Sequence, residues 1–264
     1  NIHLLINNAG LSYPLEWIPG DKRMVSAHGY DLAFTVNSMS HFLLTEKLLP
    51  SLSCKKNARI VHLTSSFHWK VDGSDLLPTA TEKGPMTYQS DPSLQGPKHV
   101  ERSYANTKLS QIWHSRSIQG CNSVCACPTW AATGIAGEDG KDFLDRFAFS
   151  VENCGPGVTS AINAILRTDS ELLPAFNSNG TCFVANSRVI ERIPGIRMWM
   201  TSDLVTNKLG WRDTLASILA LVLLVGQRFT YDEFILQETS PESLNEKKRD
   251  LFYEWSLNEV SAWL

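Results

Sequence analysis

The sequence has no basic cluster, no second Cys/His pair at metal-ligand spacing and no apolar run of about 20 residues. Each absence removes a class of protein. Lysine plus arginine total 24 against 27 aspartate plus glutamate, for a formal net charge of −3. That balance gives no footing for an electrostatic nucleic-acid partner. The six cysteines are Cys54, Cys121, Cys125, Cys127, Cys154 and Cys182. Cys125 and Cys127 fall in a run that reads as a buried strand, where cysteine serves as a small hydrophobe. No zinc or other metal site is expected, and reduced, intracellular thiols are the default. The longest apolar stretch near the C-terminus, residues 215–225, is too short to cross a bilayer. A three-glycine turn after a strand is also missing: the glycines at 134–140 and 155–157 have neither the spacing nor the preceding strand. The opening residues carry no signal- or transit-peptide pattern. The sequon Asn179-Gly180-Thr181 reads as a turn before a strand.

What is present is an alternation of strand and helix in a 264-residue chain, 43% hydrophobic and 19% charged. That is enough for one α/β domain with a sizeable core. Residues 2–8 form a nearly continuous apolar run, as in a parallel strand buried on both faces. A helix is expected over 28–49, stopped near Pro50. Residues 59–63 read as a strand and 71–99 as a long loop rich in Gly, Pro, Ser and Thr, of the kind that carries function. A helix over 99–118, a strand over 122–127, a helix over 157–166 and a strand over 181–185 follow.

Tyr104 and Lys108 stand four apart in Ser-Tyr-Ala-Asn-Thr-Lys, on one face of the expected helix. A phenol beside an ammonium can move a proton. The lysine charge favours phenolate and is expected to lower the tyrosine pKa towards working pH. Upstream lies Leu63-Thr64-Ser65-Ser66, ending in a hydroxyl. Such a pair alone is weak evidence, but its context is ordered. Asn7-Asn8-Ala9-Gly10 follows the first strand, Thr35-Val36-Asn37-Ser38 opens the next helix, and Cys127-Pro128-Thr129 through Thr133 follows the third strand.

This succession resembles the short-chain dehydrogenase/reductase superfamily. Residues 37–45, and the ending Ser240-Pro241-Glu242-Ser243 through Tyr253-Glu254-Trp255-Ser256, look most like its retinol-dehydrogenase-like branch. The resemblance covers residues 2 to about 190 and again from about 240. It implies a partial doubly wound parallel sheet, Rossmann-like, as a single NAD(P)-binding domain over 1–264. Such a domain would lack its first strands, on the order of 75 to 90 residues by ordinary domain size. The strand at 2–8 would then be an exposed apolar edge. By motif match Tyr104 is the acid/base and Lys108 tunes it and binds the nicotinamide ribose. Ser66 binds the substrate oxygen, and Asn37 holds a water in the proton relay. Cofactor contacts fall to Asn8, Ala9, Gly10, Thr64, Tyr104, Lys108, Pro128 and Thr133, with NADP favoured over NAD. Thr129 departs from the usual Gly after Pro128, and Ser40 replaces another common Gly. The implied reaction is hydride transfer between NAD(P)(H) and a lipophilic alcohol or carbonyl. The alternative is an inactive truncated paralogue or a membrane-surface interaction protein.

Residues 190–236 have no counterpart in that pattern and read as a helical insertion near the C-terminus. Two helical pieces are expected over 196–229. The run 215–225, flanked by Arg212 and Arg228, is either a buried or oligomer-facing helix or one lying at a lipid surface. Peripheral membrane contact through 212–228 and a homo-oligomer are the partners this implies.

Overall fold

The computed structural model describes residues 2–12, 25–53, 57–81, 84–86, 97–136, 148–172, 182–187 and 225–264. Five strands form one sheet in chain order: β1 (Leu4–Asn7), β2 (Arg59–Leu63), β3 (Asn122–Ala126), β4 (Cys182–Ser187) and β5 (Tyr231–Leu236). The first four are mutually parallel, and β5 returns antiparallel to β4. Parallel neighbours need long crossovers, and helices supply them. They are α1 (Ser40–Ser53), α2 (Pro97–Ser117) and α3 (Thr159–Leu166); α4 (Glu246–Val260) follows β5. The fold is α/β, with a mostly parallel sheet of the partial Rossmann-like kind.

Two apolar layers sandwich the sheet. Phe42, Leu109, Trp113 and Phe252 join α1, α2 and α4 on one side. On the other, Ala164 of α3 packs against Val61, Val124 and Val184. Central β2 and β3 are covered throughout, with Ile60, Val61, Val124 and Ala126 at 0% exposure. β1 differs. Leu5 is buried against Leu52, Ile60 and Ile118, yet Leu4 and Ile6 are 39% and 41% exposed. The strand expected to be covered on both faces is therefore covered on one among the described residues.

Local physics shifts several boundaries. The helical stretch before α1 opens at Leu32, because the Asp31 carboxylate accepts from Phe34 N at 2.9 Å and so satisfies a first-turn donor. Residues Thr35–Met39 then form a π turn. Pro50 does not stop α1 but sits inside it. It lacks the N–H that would bond the Glu46 carbonyl, and the helix runs only three residues further. β5 corrects the expectation that 190–236 is helical to its end: residues 231–236 are a strand. Asp232 and Glu233 face solvent while Ile235 is buried. Residues 225–229 are helical. Arg228 Nη2 donates to the Ala148 carbonyl at 3.1 Å, a tie to the fold rather than to a headgroup. Most of the expected helical pieces, with 215–224 of the apolar run, lie outside the described residues. No helix among those described is long and apolar enough to cross a membrane.

Polar side chains run under the sheet. Asn7 Nδ2 reaches Thr45 Oγ1 at 2.9 Å and His62 Nδ1 at 3.3 Å. His62 packs edge-on to His114 at 5.3 Å. His114 Nε2 meets Glu46 at 3.0 Å, and Tyr253 donates to the same carboxylate. His68 is fully buried. Its Nε2 accepts from Ser240 N at 3.0 Å, so its Nδ1 carries the proton donated to Ser65 O at 2.7 Å. His68 thus ties the turn after β2 to the segment before α4.

Gly73 marks where that turn meets α2. Its φ is +75°, and a Cβ there would lie 2.4 Å from the ring of buried Trp113 and 3.1 Å from Leu109. Gly73→Ala should destabilise by about 2–4 kcal/mol, combining left-handed backbone strain with overpacking. Urea unfolding measures it. A loss below about 1 kcal/mol would mean that the indole yields freely.

Candidate active site

The sequence motifs converge at the carboxyl ends of β1, β2 and β3, where open α/β sheets place ligands. Helix α2 is pinned there by Thr64, whose hydroxyl donates to the Lys108 carbonyl at 2.8 Å. Thr64 thus serves as a strut, although the motif match had given it to the cofactor. Lys108 is 4% exposed. Its Nζ donates to Leu63 O at 2.8 Å and to Gln111 Oε1 at 3.3 Å, and lies 5.3 Å from the centre of the Tyr104 ring. Burial pulls the Lys108 pKa down to about 8, against the opposing pull of Cys127 and Cys125. Burial also raises the Tyr104 pKa, Cys127 adds to the rise, and a hydrogen bond with Ser65 opposes it. The expectation that Lys108 lowers the tyrosine pKa is not met in this arrangement. The ammonium sits beside the ring and spends two donors elsewhere.

The serine at the phenol is Ser65, not Ser66. Ser65 is the serine that acts on the Tyr104 hydroxyl, opposing the rise in its pKa, and it caps the turn Ser66–Lys70, accepting from Phe67 N at 3.3 Å. Ser66 serves Cys127 instead: its N lies 3.3 Å from Cys127 Sγ, and its hydroxyl opposes the rise that burial gives the thiol pKa. The reason is local. Capping turns the first serine out of the strand end and leaves the second in the turn behind it. A serine immediately before a short helical turn was the signal for this. Cys127, read as a plain core residue, instead gathers donors from both strand ends, since Thr129 N also approaches its sulfur at 3.4 Å.

Asn37 is fully buried, and its side chain clamps the chain after β1. Its Oδ1 accepts from Leu11 N at 2.8 Å, while Nδ2 donates to Leu11 O at 2.8 Å and Thr107 Oγ1 at 3.2 Å. That clamp fixes the exposed turn Asn8-Ala9-Gly10 beside the site. A Cβ on Gly10 would make only an ordinary 3.5 Å contact with Asn37. The Asn37 amide is thus committed to structure, and its backbone carbonyl faces α2. Thr129 adopts φ +58°, the region glycine favours and β-branched residues resist; its hydroxyl bonds Asn186 Oδ1 at 2.7 Å. Pro128 lies just past the end of β3, while the Thr133 hydroxyl accepts from Ile135 N at 3.4 Å within its own turn. Phe67 stands edge-on to Tyr104 at 5.7 Å and to Trp130 at 5.9 Å, making an aromatic wall. Among the described residues no group of His, Cys, Asp or Glu could hold a metal ion.

A phenol, an ammonium and a serine hydroxyl gathered at the carboxyl edge of a parallel sheet is the arrangement of short-chain dehydrogenase/reductases. Motif order, sheet and sequence similarity together support the retinol-dehydrogenase-like branch. No family model matches the chain. It is 37% identical to human (Homo sapiens) retinol dehydrogenase 13 over 67 residues, 25% of this chain and 18% of that protein. It is 30% identical to Bos taurus retinol dehydrogenase 12 over 119 residues, 44% of this chain and 30% of that protein. Short-chain dehydrogenase TIC 32 A, chloroplastic, of Brassica napus is 29% identical over 123 residues, 44% of this chain and 32% of that protein. The matches therefore span less than a third of these relatives' own lengths.

Proposed function

We propose that the full-length protein is an NAD(P)(H)-dependent oxidoreductase that interconverts a lipophilic alcohol and its carbonyl. The observation that carries this reading is the Lys108 ammonium 5.3 Å from the centre of the Tyr104 ring at the carboxyl edge of the sheet, with Ser65 acting on the phenol. When bound, the dinucleotide supplies or accepts the hydride. Tyr104 then gives or takes the proton at the substrate oxygen. Ser65 donates a hydrogen bond to that oxygen, where charge develops. The ammonium has three donors, of which Leu63 O and Gln111 Oε1 take two. The third fits a ribose hydroxyl. The exposed turn Asn8-Ala9-Gly10 and the strand end at Pro128 offer backbone beside it. Phe67 and Trp130 suit an apolar substrate, and peripheral membrane contact through 212–228 would be its route of arrival.

Paired serine variants test the assignment. Ser65→Ala should lower kcat by about 10²-fold or more, as loss of a preorganised donor does. Ser66→Ala should stay within about threefold of wild type, because its hydroxyl serves a sulfur rather than the substrate. The reverse order would return the substrate contact to Ser66. Equal, small effects would remove both serines from the chemistry.

A further inference from the structure

Gln111 lies on α2 one turn after Lys108, on the face that carries the ammonium. It is 2% exposed, and both ends of its amide are engaged. Oε1 accepts from Lys108 Nζ at 3.3 Å, and Nε2 donates to the Asn37 carbonyl at 2.9 Å. The π turn at Thr35–Met39 widens the helix there. His41 Nδ1 stands 3.5 Å from the same Nε2.

A buried ammonium needs partners, and among the described residues Lys108 bonds no carboxylate, only the Leu63 carbonyl and this amide. The groups that face it are His41 from α1, His62 from β2, Cys125 and Cys127 from β3 and Tyr104 from its own helix. Every one is neutral in its ordinary buried form. Among the described residues the amide is therefore the one side chain bonded to the charge, and Asn37 fixes that amide from behind.

We infer that Gln111 is a positioning residue: it holds the Lys108 ammonium in its charged form and aims it at the Tyr104 side of the site. The inference rests on the proposed oxidoreductase reading for its catalytic meaning. Its physical content, that Gln111 sets the charge state of Lys108, is independent of turnover. Removing the amide withdraws a bond to the charged form and lowers the lysine pKa; a carboxylate in the same place raises it.

The test uses the full-length protein with ¹³Cε-labelled lysine, following the Lys108 signal by NMR, assigned by its loss in Lys108→Met. Gln111→Glu should move the Lys108 titration midpoint up by about one unit or more, and Gln111→Met should move it down. Gln111→Asn, too short to span both partners, should follow Met. In turnover, Gln111→Met should lower kcat about tenfold with little change in KM, and the alkaline limb of the pH profile should move with the midpoint. Gln111→Glu should keep most of kcat and extend that limb upwards. Unchanged midpoints in the Glu and Met variants overturn the inference, and the near-isosteric Glu variant decides alone if Met impairs folding. Shifted midpoints in a protein that turns over no alcohol or carbonyl would uphold the role of Gln111 and defeat the oxidoreductase reading instead.

Discussion

Tyr104→Phe is expected to abolish turnover of alcohol or carbonyl substrates by the full-length protein, with a loss of about 10² to 10⁴ in kcat. The ring is kept, so its edge-on contact with Phe67 survives. The Lys108 ammonium still has Leu63 O and Gln111 Oε1. What disappears is the phenol hydroxyl that is to move the proton. Thermal unfolding should shift little, since only one part-buried hydrogen bond is lost. Turnover is read by nicotinamide absorbance, folding by circular dichroism. The raised tyrosine pKa sets a further expectation. In the arrangement seen, the phenol stays protonated across the neutral range, so it is ready to act as the acid of carbonyl reduction. If Tyr104→Phe kept more than half of wild-type turnover, the site would lie elsewhere.

The second large effect concerns acid. His41 and His68 have pKa values pulled down to about 4 by burial, with the charge of Lys108 adding to the fall at His41. Fully buried His62 is lowered well below its usual range, by burial first and then by His114, His41 and Lys108. The hydrogen bonds agree. His68 Nε2 and His62 Nδ1 both act as acceptors, from Ser240 N and Asn7 Nδ2, which a charged imidazole cannot do on that nitrogen. All three are excluded from protonation in the fold, while the unfolded chain takes up protons below about pH 6.5. The sign follows directly: stability is full above about 6.5 and falls with pH until the native pKa values are reached, near 4 for His41 and His68 and well below the usual range for His62. Three protons correspond to a slope of up to about 4 kcal/mol per pH unit. Over two units below pH 6.5 the loss reaches up to about 8 kcal/mol, enough to unfold a domain at the lower end of the usual range of about 5–15 kcal/mol. Urea unfolding at pH 7.5, 6.5 and 5.5 gives the slope, and His62→Met should reduce it by about one proton. A flat stability between pH 7 and 5 would show that these imidazoles titrate normally.

Much of the fold was legible because burial on both faces leaves a plain mark. β2 and β3 carry their apolar residues together, Ile60-Val61 with Leu63 and Val124-Cys125-Ala126, and their edges fell close to where expected. The Tyr104–Lys108 helix was legible for the same reason, with motif spacing added. β5 was not. Tyr231-Asp232-Glu233 opens it with exposed polar residues, since an antiparallel edge strand needs only a few inward side chains. The π turn at Asn37 was equally silent, for nothing in Thr35-Val36-Asn37-Ser38-Met39 distinguishes it from an ordinary turn of helix. At the site, Tyr104 and Lys108 were readable from spacing, whereas the choice between Ser65 and Ser66 turned on a cap. Sequence adjacency cannot separate two serines, but one hydrogen bond to Phe67 N does.

The imidazole of His68 joins Ser65, at the strand end, to Ser240, before α4, which lies 172 positions beyond the histidine itself. Its consequence is kinetic. The Ser240 amide has the ring as its acceptor, so it cannot meet solvent deuterium until the ring leaves, and the ring cannot leave without releasing the Ser65 carbonyl. The serine turn and the closing segment should open as one cooperative unit, with a common exchange rate, although neither would be grouped with the other by reading along the chain.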